Sequence, residues 1–511
     1  MISLVKSIAV NWLQSNIIEV EVDINNWLPS FTIVWLPDQG IQESRERIRS
    51  ALKSSWDKLP ASRITVNLAP ADIRKTWPIF DLAIAIWILL NSWTIKSDEF
   101  VKNSIFLWEL SLDGKLRSVW WILPATIWAK EKWFKRIFLA ASNSKEASFI
   151  PGIDVISVEN LSDLIEILNK EKELKIYEKS DFSTLSKDIS NNKYDFRYII
   201  WQNHAKRAME IARAWGHNII MNWPPWSWKT LLAKTFSTIL PEMTIDEAIE
   251  VSKIYSISGL LTDENPLIIS RPFRSVHHTA SSISIIGWWT KAKPWEISLA
   301  HKWVLFLDEI LEFPKNVLEV LRQPLEDHEI TVTRVNSSFV YPAKFILLWA
   351  MNPCPCWYLT DPDKECICSP RDIKNYTSRL SWPLLDRVDI FIEVPKVKTE
   401  EFSSKNDYSS VEDSVSIKAR VEKARLIQLK RFTWTKLTSN SEMSSKDVSK
   451  YCILDSESEN LLQKAVNNMN LSARSYYRIL KLARTIADLW ERENIIKQDI
   501  AEALSYRKMQ D

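Results

Sequence analysis

Apolar residues along this chain follow two rhythms. Short runs rich in β-branched residues predict strands: IIEVEV (17–22), FTIVW (31–35), ITVNLA (64–69) and RIFLA ending at Ala140. Between them, IQESRERIRSALKSS (41–55) places Ile41, Ile48, Ala51 and Leu52 on one face and charges on the other, which predicts an amphipathic helix. DLAIAIWILL (81–90) is apolar almost throughout and predicts a buried helix. Residues 1–168 therefore read as an α/β domain. The polar stretch 169–195 reads as a linker or as an irregular surface loop of one continuous domain.

Residues 196–395 repeat the alternation in another form. A helix is predicted over 201–218, with Lys206, Arg207, Glu210 and Arg213 on its polar side and Gly216 near its end. Three apolar runs then stop abruptly at polar residues: one at Asn222, one (303–310) at Asp308 and Glu309, and one (344–356) at Asn352. Continuous apolar runs suit strands buried on both faces of a parallel sheet. The last part, 396–511, is helical from 412 onward, over 416–432, 471–489 and 498–507. Ser472 is placed to cap the second of these helices.

The run ending at Asn222 continues Trp223-Pro224-Pro225-Trp226-Ser227-Trp228-Lys229-Thr230 and then opens a helix. Strand, tight loop and Lys-Thr at a helix start are the layout of a phosphate-binding P-loop, G-x-x-x-x-G-K-[ST]. Such a loop closes its backbone N–H groups around phosphate oxygens, which requires residues without side chains. Tryptophan at 223, 226 and 228 cannot do this. Composition explains the conflict. The chain has 6 Gly and 26 Trp, 32 together, against about 36 Gly expected at average usage of about 7%. Most of these tryptophans thus read as displaced glycines, as when UGA codons that a source organism reads as glycine are translated as tryptophan. Restored, the loop is G-P-P-G-S-G-K-T.

Charge adds little: 66 basic against 64 acidic residues leave a formal net charge of +2, which argues neither for nor against nucleic acid. Five cysteines, four of them clustered, do not resemble a secreted disulfide framework, and no apolar run is long enough to span a membrane. Both point to the cytoplasm. Cys354, Cys356, Cys366 and Cys368 form two C-x-C pairs. Four such thiols can close a tetrahedral Zn²⁺ site, lie buried and free, or form redox pairs. Cys452 stands alone.

The wording of the chain resembles the ComM/YifB family of magnesium-chelatase-like AAA+ ATPases. The resemblance rests on LPSFTIVWLPD (28–38), ESRERIRSAL (43–52), RITVNLAPADIRK (63–75), FDLAIAIWIL (80–89), WELSLDGKLRSVWWILPA (108–125), the P-loop, and the motifs that follow it. It implies an N-terminal α/β domain (1–168) of the Lon-protease-like, ribosomal S5-like fold. A central AAA+ P-loop core with a parallel α/β/α sheet (196–395) and a C-terminal helical lid (396–511) follow. Lon-type peptidases need a Ser nucleophile and a Lys base. Asp81 and Leu123 stand in those places, so the domain reads as non-peptidase.

The resemblance also assigns roles around ATP and Mg²⁺. Thr230 and Asp308 would hold the metal, Lys229 the phosphates, and Glu309 the attacking water. Asn352 would sense the γ-phosphate. Arg387, in LLDRVD, reads as a finger reaching a neighbouring subunit or as an intramolecular partner of Asp386 or Asp389. Arg474 matches a sensor arginine reaching the nucleotide from the lid, or is a solvent-facing helix-start residue. The stretch 271–303, with Ile285, Ile286, Lys291 and Lys293, resembles an inserted pore loop. His277 and His278, being adjacent, are expected to diverge and to serve as a phosphate or packing contact rather than as metal ligands. The family further implies a homo-hexamer and DNA as partner, with a helicase driving branch migration during DNA uptake and recombination. An ATPase remodelling a protein partner is the alternative.

Overall fold

The computed structural model of the chain describes residues 5–11, 14–25, 28–34, 39–55, 62–70, 79–95, 98–180, 182, 194–199, 202–223, 229–262, 264–271, 273–279, 296–334, 337–361, 363–395, 411–435, 437–469 and 471–507. Two compact units emerge. The first comprises residues 1–187 together with 245–269, and the second 188–244 and 270–511.

In the first unit, β1 (Val5–Asn11), β2 (Gln14–Asn25), β3 (Ser30–Val34) and β4 (Arg63–Ala69) form a sheet of order β1-β2-β4-β3. β2 lies antiparallel to β1 and β4, and β3 parallel to β4. Alternation explains the buried face: Ile64, Val66 and Leu68 point inward while their neighbours stay partly exposed. A second sheet, β5 (Ser104–Phe106), β6 (Arg136–Ala140) and β7 (Asp154–Val158), is parallel. The helix Gln39–Ser55 buries Ile48, Ala51 and Leu52 as its spacing requires; the side chain of Ile41 lies outside the described residues. In the helix Asp81–Asn91 every residue from Asp81 to Leu89 is buried; the apolar run from Leu82 onward requires this, and Asp81 is buried with it.

Two features of this unit differ from the sequence reading. The segment 245–269, expected inside the 196–395 core, belongs here. Its helix Ile245–Ser258 is fastened by Ser256, whose hydroxyl donates to Glu146 Oε1 at 2.7 Å, the same oxygen that accepts the Leu123 amide at 3.2 Å. The start of the expected linker is also docked. Ile176 bridges Ile156, the Tyr177 amide donates to the Val155 carbonyl at 2.8 Å, and Ser180 meets Ser148 at 2.7 Å.

The second unit is built on five parallel strands in the order β14-β8-β13-β10-β9: β8 (Ile219–Asn222), β9 (Phe273–Val276), β10 (Val304–Leu307), β13 (Ile346–Met351) and β14 (Ile390–Glu393). An antiparallel ribbon, β11 (Glu329–Arg334) and β12 (Ser337–Pro342), precedes β13. Five helices close the chain: Ser414–Arg431, Ser445–Tyr451, Ser456–Asn468, Ala473–Leu489 and Lys497–Ser505. Ser472 accepts the Ser475 amide and caps the fourth, as its sequence position suggests.

Lid and sheet share one apolar core that runs from Met221, Leu348 and Ile390 to Ile479, Ile486 and Ala503. The polar side of the helix Asn203–Trp215 is consequently covered, not solvated. Lys206, Glu210 and Arg213 are buried; Glu210 pairs with Arg207 at 2.9 Å and Arg420 at 2.5 Å, and Arg207 with Glu502 at 2.8 Å.

Candidate nucleotide-binding site

Parallel pairing decides what meets at the carboxyl edge of the sheet. Because Met351 is in register with Asn222, the residues after β8 and β13 emerge side by side, and the Trp223 amide donates to the Met351 carbonyl at 3.0 Å. Because Leu307 is in register with Val276, the residues after β10 and β9 emerge together as well. The carboxyl edge of an open α/β sheet is where such folds bind ligands.

At this edge Lys229, first residue of the helix Lys229–Phe236, directs Nζ to Asn352 Oδ1 at 2.5 Å. Burial pulls its ammonium below the usual range, and the charges of Asp308 and Glu309 act against that pull. One ammonium against two carboxylates leaves this edge net negative, so a polyanion would need a divalent cation beside it. Thr230 beside it is exposed. Asp308 follows β10 directly, and its Oδ1 accepts the Glu309 amide at 2.9 Å. Glu309 adopts a positive φ of 53°, a conformation uncommon outside glycine. The structure thus brings Lys229, Thr230, Asp308, Glu309 and Asn352 to one sheet edge. Pro224, Pro225, Trp226, Ser227 and Trp228 lie outside the described residues, as does the pore-loop segment with Ile285, Ile286, Lys291 and Lys293.

His277 and His278 correct an expectation. Their rings do not diverge: centroids stand 4.1 Å apart, and His278 Nδ1 lies 2.9 Å from Glu309 Oε2. His277 is exposed, and its Nδ1 lies 3.0 Å from Thr279 Oγ1.

The two arginines meet on one carboxylate. Arg387 pairs neither with Asp386 nor with Asp389; its Nη2 meets Glu326 Oε1 at 2.5 Å. Arg474 reaches the same oxygen at 3.2 Å and Asp386 at 3.1 Å. Asp389 is taken by Arg478 at 3.1 Å and His217 at 3.2 Å; burial raises its affinity for protons, but Arg478 and His217 win and hold it far below the carboxylate range. Glu326 is held low chiefly by its hydrogen bond from Arg387. Nothing in LRQPLEDHE marks Glu326 in the sequence, because its importance arises only from what packs beside it.

The cysteines converge. Cys354 Sγ lies 3.4 Å from Cys356 Sγ and 3.7 Å from Cys366 Sγ, Cys356 and Cys366 stand 3.5 Å apart, and Cys368 completes the group. No disulfide joins them. Cys452 is buried in the lid, and that burial pushes its thiol up to about 12, an inert state.

In the first unit, burial raises Asp81 to about 6, although Arg47 Nε binds its Oδ2 at 2.9 Å and acts in the opposite direction. Leu123 is a buried apolar residue whose amide is spent on Glu146.

The tryptophans behave as residues out of place. The indole N–H groups of Trp87, Trp108, Trp215, Trp223 and Trp349 are buried without a hydrogen-bond partner, each an expense of about 1–3 kcal/mol. Trp93 (φ 60°) and Trp133 (φ 65°) occupy the left-handed position after a helix. In both, paired amide-to-carbonyl bonds form a Schellman cap: Trp93 to Leu90 with Thr94 to Leu89, and Trp133 to Lys130 with Phe134 to Ala129. Glycine is the usual residue there. Trp357 has φ 74°.

Five parallel strands carrying a P-loop helix, an acidic strand end and a fused helical lid are the architecture of an AAA+ protein. Family models agree over three consecutive stretches: subunit ChlI of Mg-chelatase at residues 20–143, magnesium chelatase subunit ChlI at 195–402, and the ChlI C-terminal region at 411–507. Competence protein ComM of Haemophilus influenzae is 40% identical over 509 residues, 99% of this chain and 98% of that protein. YifB of Escherichia coli is 36% identical over 493 residues, 96% of this chain and 94% of that protein. The chain belongs to the ComM/YifB family of magnesium-chelatase-like AAA+ proteins. Among the described residues no helix is long and apolar enough to cross a membrane.

Proposed function

We propose that the protein is an ATP-hydrolysing motor of the ComM type, a cytoplasmic homo-hexamer that moves or unwinds branched DNA. The observation that carries the ATPase part is the meeting of Lys229, Asp308, Glu309 and Asn352 at one sheet edge. The DNA part rests on the similarity to competence protein ComM along 99% of the chain.

In this reading, residues 223–230 carry glycine at 223, 226 and 228 and wrap the phosphates, with Lys229 on the terminal ones. Thr230 and Asp308 would hold Mg²⁺, which would supply charge neutralisation at the phosphoryl oxygens. Glu309 orients and polarises the attacking water. Asn352, already against Lys229, keeps that ammonium aimed and contacts the transferring group. Arg387 and Arg474, gathered on Glu326, form a two-arginine patch that serves a neighbouring subunit's nucleotide. The family resemblance assigns Arg474 to its own subunit's nucleotide; this reading groups it instead with Arg387, whose carboxylate it shares. Asp81, ion-paired with Arg47, is no serine and Leu123 cannot take a proton, so the first unit is assigned no Lon-type peptidase chemistry.

The test is hydrolysis and strand displacement by the full-length chain with glycine restored, on single-stranded, duplex and four-way branched DNA. Stimulation by branched DNA with ATP-dependent strand exchange supports the reading. ATP hydrolysis indifferent to every DNA would favour a protein partner as the remodelled client.

A further inference from the structure

We propose that Cys354, Cys356, Cys366 and Cys368 bind one Zn²⁺ as a closed four-thiolate site that fixes the turn leaving β13. Cys354 is two residues beyond Asn352, so the turn fixed is the one that follows the Lys229 contact.

The geometry is that of a shared ion. A tetrahedron with Zn–S bonds of about 2.3 Å has edges of about 3.8 Å. The three sulfur separations given above, 3.4, 3.5 and 3.7 Å, approach that edge, and the four ligand atoms lie within 4.8 Å of one another. A disulfide requires about 2.05 Å, and pairing two thiols would pull this cluster apart. Four protein ligands leave no open coordination position, which makes the site structural.

The short C-x-C spacing is made possible by a tight turn in which the residue-357 amide donates to the Cys354 carbonyl at 3.0 Å, with φ 74° at that residue. Glycine there, as the composition suggests, would take this conformation without strain. Downstream, Ser369 caps the helix Pro370–Thr377 through a reciprocal pair with Asp372, so the second C-x-C pair is tied to a rigid element.

Chain topology supplies the consequence. Residues 352–369 form a loop between β13 and that helix, and a metal at its waist shortens the free segment on either side. The metal therefore restricts Asn352 without touching it. This second half rests on the ATPase reading for its importance, but the zinc itself does not.

The experiment uses the full-length, glycine-restored chain purified without chelator. Elemental analysis should give about one zinc per chain, and cobalt exchanged into the site should show intense thiolate-to-metal charge-transfer bands. Cys366→Ser should lose the metal, while Cys452→Ser should keep it. Zinc below about 0.2 per chain, with four thiols reacting readily in the native protein, overturns the site. Stripping the metal should raise amide exchange at least tenfold across 352–369 and leave 473–489 unchanged. Unaltered exchange at 352–369 overturns the claim that the metal fixes the turn. Neither readout involves nucleotide, so failure here is separate from failure of the ATPase reading.

Discussion

His278 Nδ1 stands 2.9 Å from Glu309 Oε2. The pair links the ends of two neighbouring strands, and it occupies the carboxylate that the proposed chemistry needs free. On the proposed chemistry the imidazole would compete with the attacking water for Glu309 and so restrain turnover. His278→Ala should therefore raise DNA-independent ATP hydrolysis by about threefold or more while leaving nucleotide affinity within about twofold. Steady-state ATPase assays with and without DNA read this directly. A fall in the basal rate would make His278 a helper of Glu309 instead.

Lys229 and Glu309 should separate binding from chemistry. Lys229→Ala removes the buried cation facing Asp308 and Glu309 and should abolish nucleotide binding. Glu309→Gln keeps size and polarity but cannot polarise water; binding should persist while turnover falls about 10²–10⁴-fold. Fluorescent-nucleotide titration and single-turnover hydrolysis distinguish the two. Turnover within about twofold of the parent in Glu309→Gln would remove that residue from its assigned role.

The arginine patch makes a prediction about assembly. Arg387→Ala should leave ATP binding intact and cut hydrolysis by about 10³-fold. Because Arg474 shares Glu326 with Arg387, Arg474→Ala should fall in the same class. Rings mixed from an Arg387→Ala chain and a Lys229→Ala chain should recover activity at those interfaces that pair an intact Lys229 with an intact Arg387. Absence of recovery in mixed rings would leave both arginines as structural groups of their own subunit.

Asp81 predicts a pH dependence of stability. Its folded value of about 6 lies above the ordinary 3.8. Between these values the folded state therefore holds a proton that the unfolded chain does not. The stability contributed by this group is fully present below about pH 3.8 and is lost as pH rises through 6. Relative to Asp81→Asn, the parent should gain about 1 kcal/mol between pH 7 and pH 5, at about 1.4 kcal/mol per pKa unit. Denaturant unfolding of both proteins at the two pH values measures the difference. A relative loss on acidification would mean that the Arg47 pair, not burial, governs the carboxyl.

Trp93 and Trp133 predict the effect of glycine. Their side chains are 87% and 91% exposed, so little packing is lost when they are removed, while left-handed strain of about 1–3 kcal/mol is relieved. Trp93→Gly and Trp133→Gly should each stabilise the first unit by about 1 kcal/mol. Glycine at 223, 226 and 228 should in addition create nucleotide binding that the tryptophan form lacks. Equal ATP affinity in both forms would defeat the glycine reading and the P-loop assignment together. Thermal melting and nucleotide titration of the paired proteins supply both measurements.

Local pattern alone was enough for most elements. The alternation in ITVNLA, the apolar run of Asp81–Asn91 and the P-loop layout each depend on neighbours in sequence, and such signals survive without a fold. Asp308, Glu309 and Asn352 of the candidate site were legible for the same reason: they stand at the ends of apolar runs, and buried parallel strands end at the ligand edge. The tryptophans at 223, 226 and 228 stand out against the P-loop layout, because a loop that closes on phosphate tolerates no side chain. Only tertiary structure decided the pairings between distant segments. Glu326 under Arg387 and Arg474, His278 on Glu309, and the burial of Lys206 and Glu210 beneath the lid all depend on register and packing between segments far apart in sequence. Adjacency suggested diverging histidines and offered Asp386 or Asp389 as an intramolecular partner for Arg387; packing brings the rings within 4.1 Å and places Arg387 on Glu326. The segment 245–269 follows the same logic: its apolar face is visible in sequence, but which core covers that face is settled by packing.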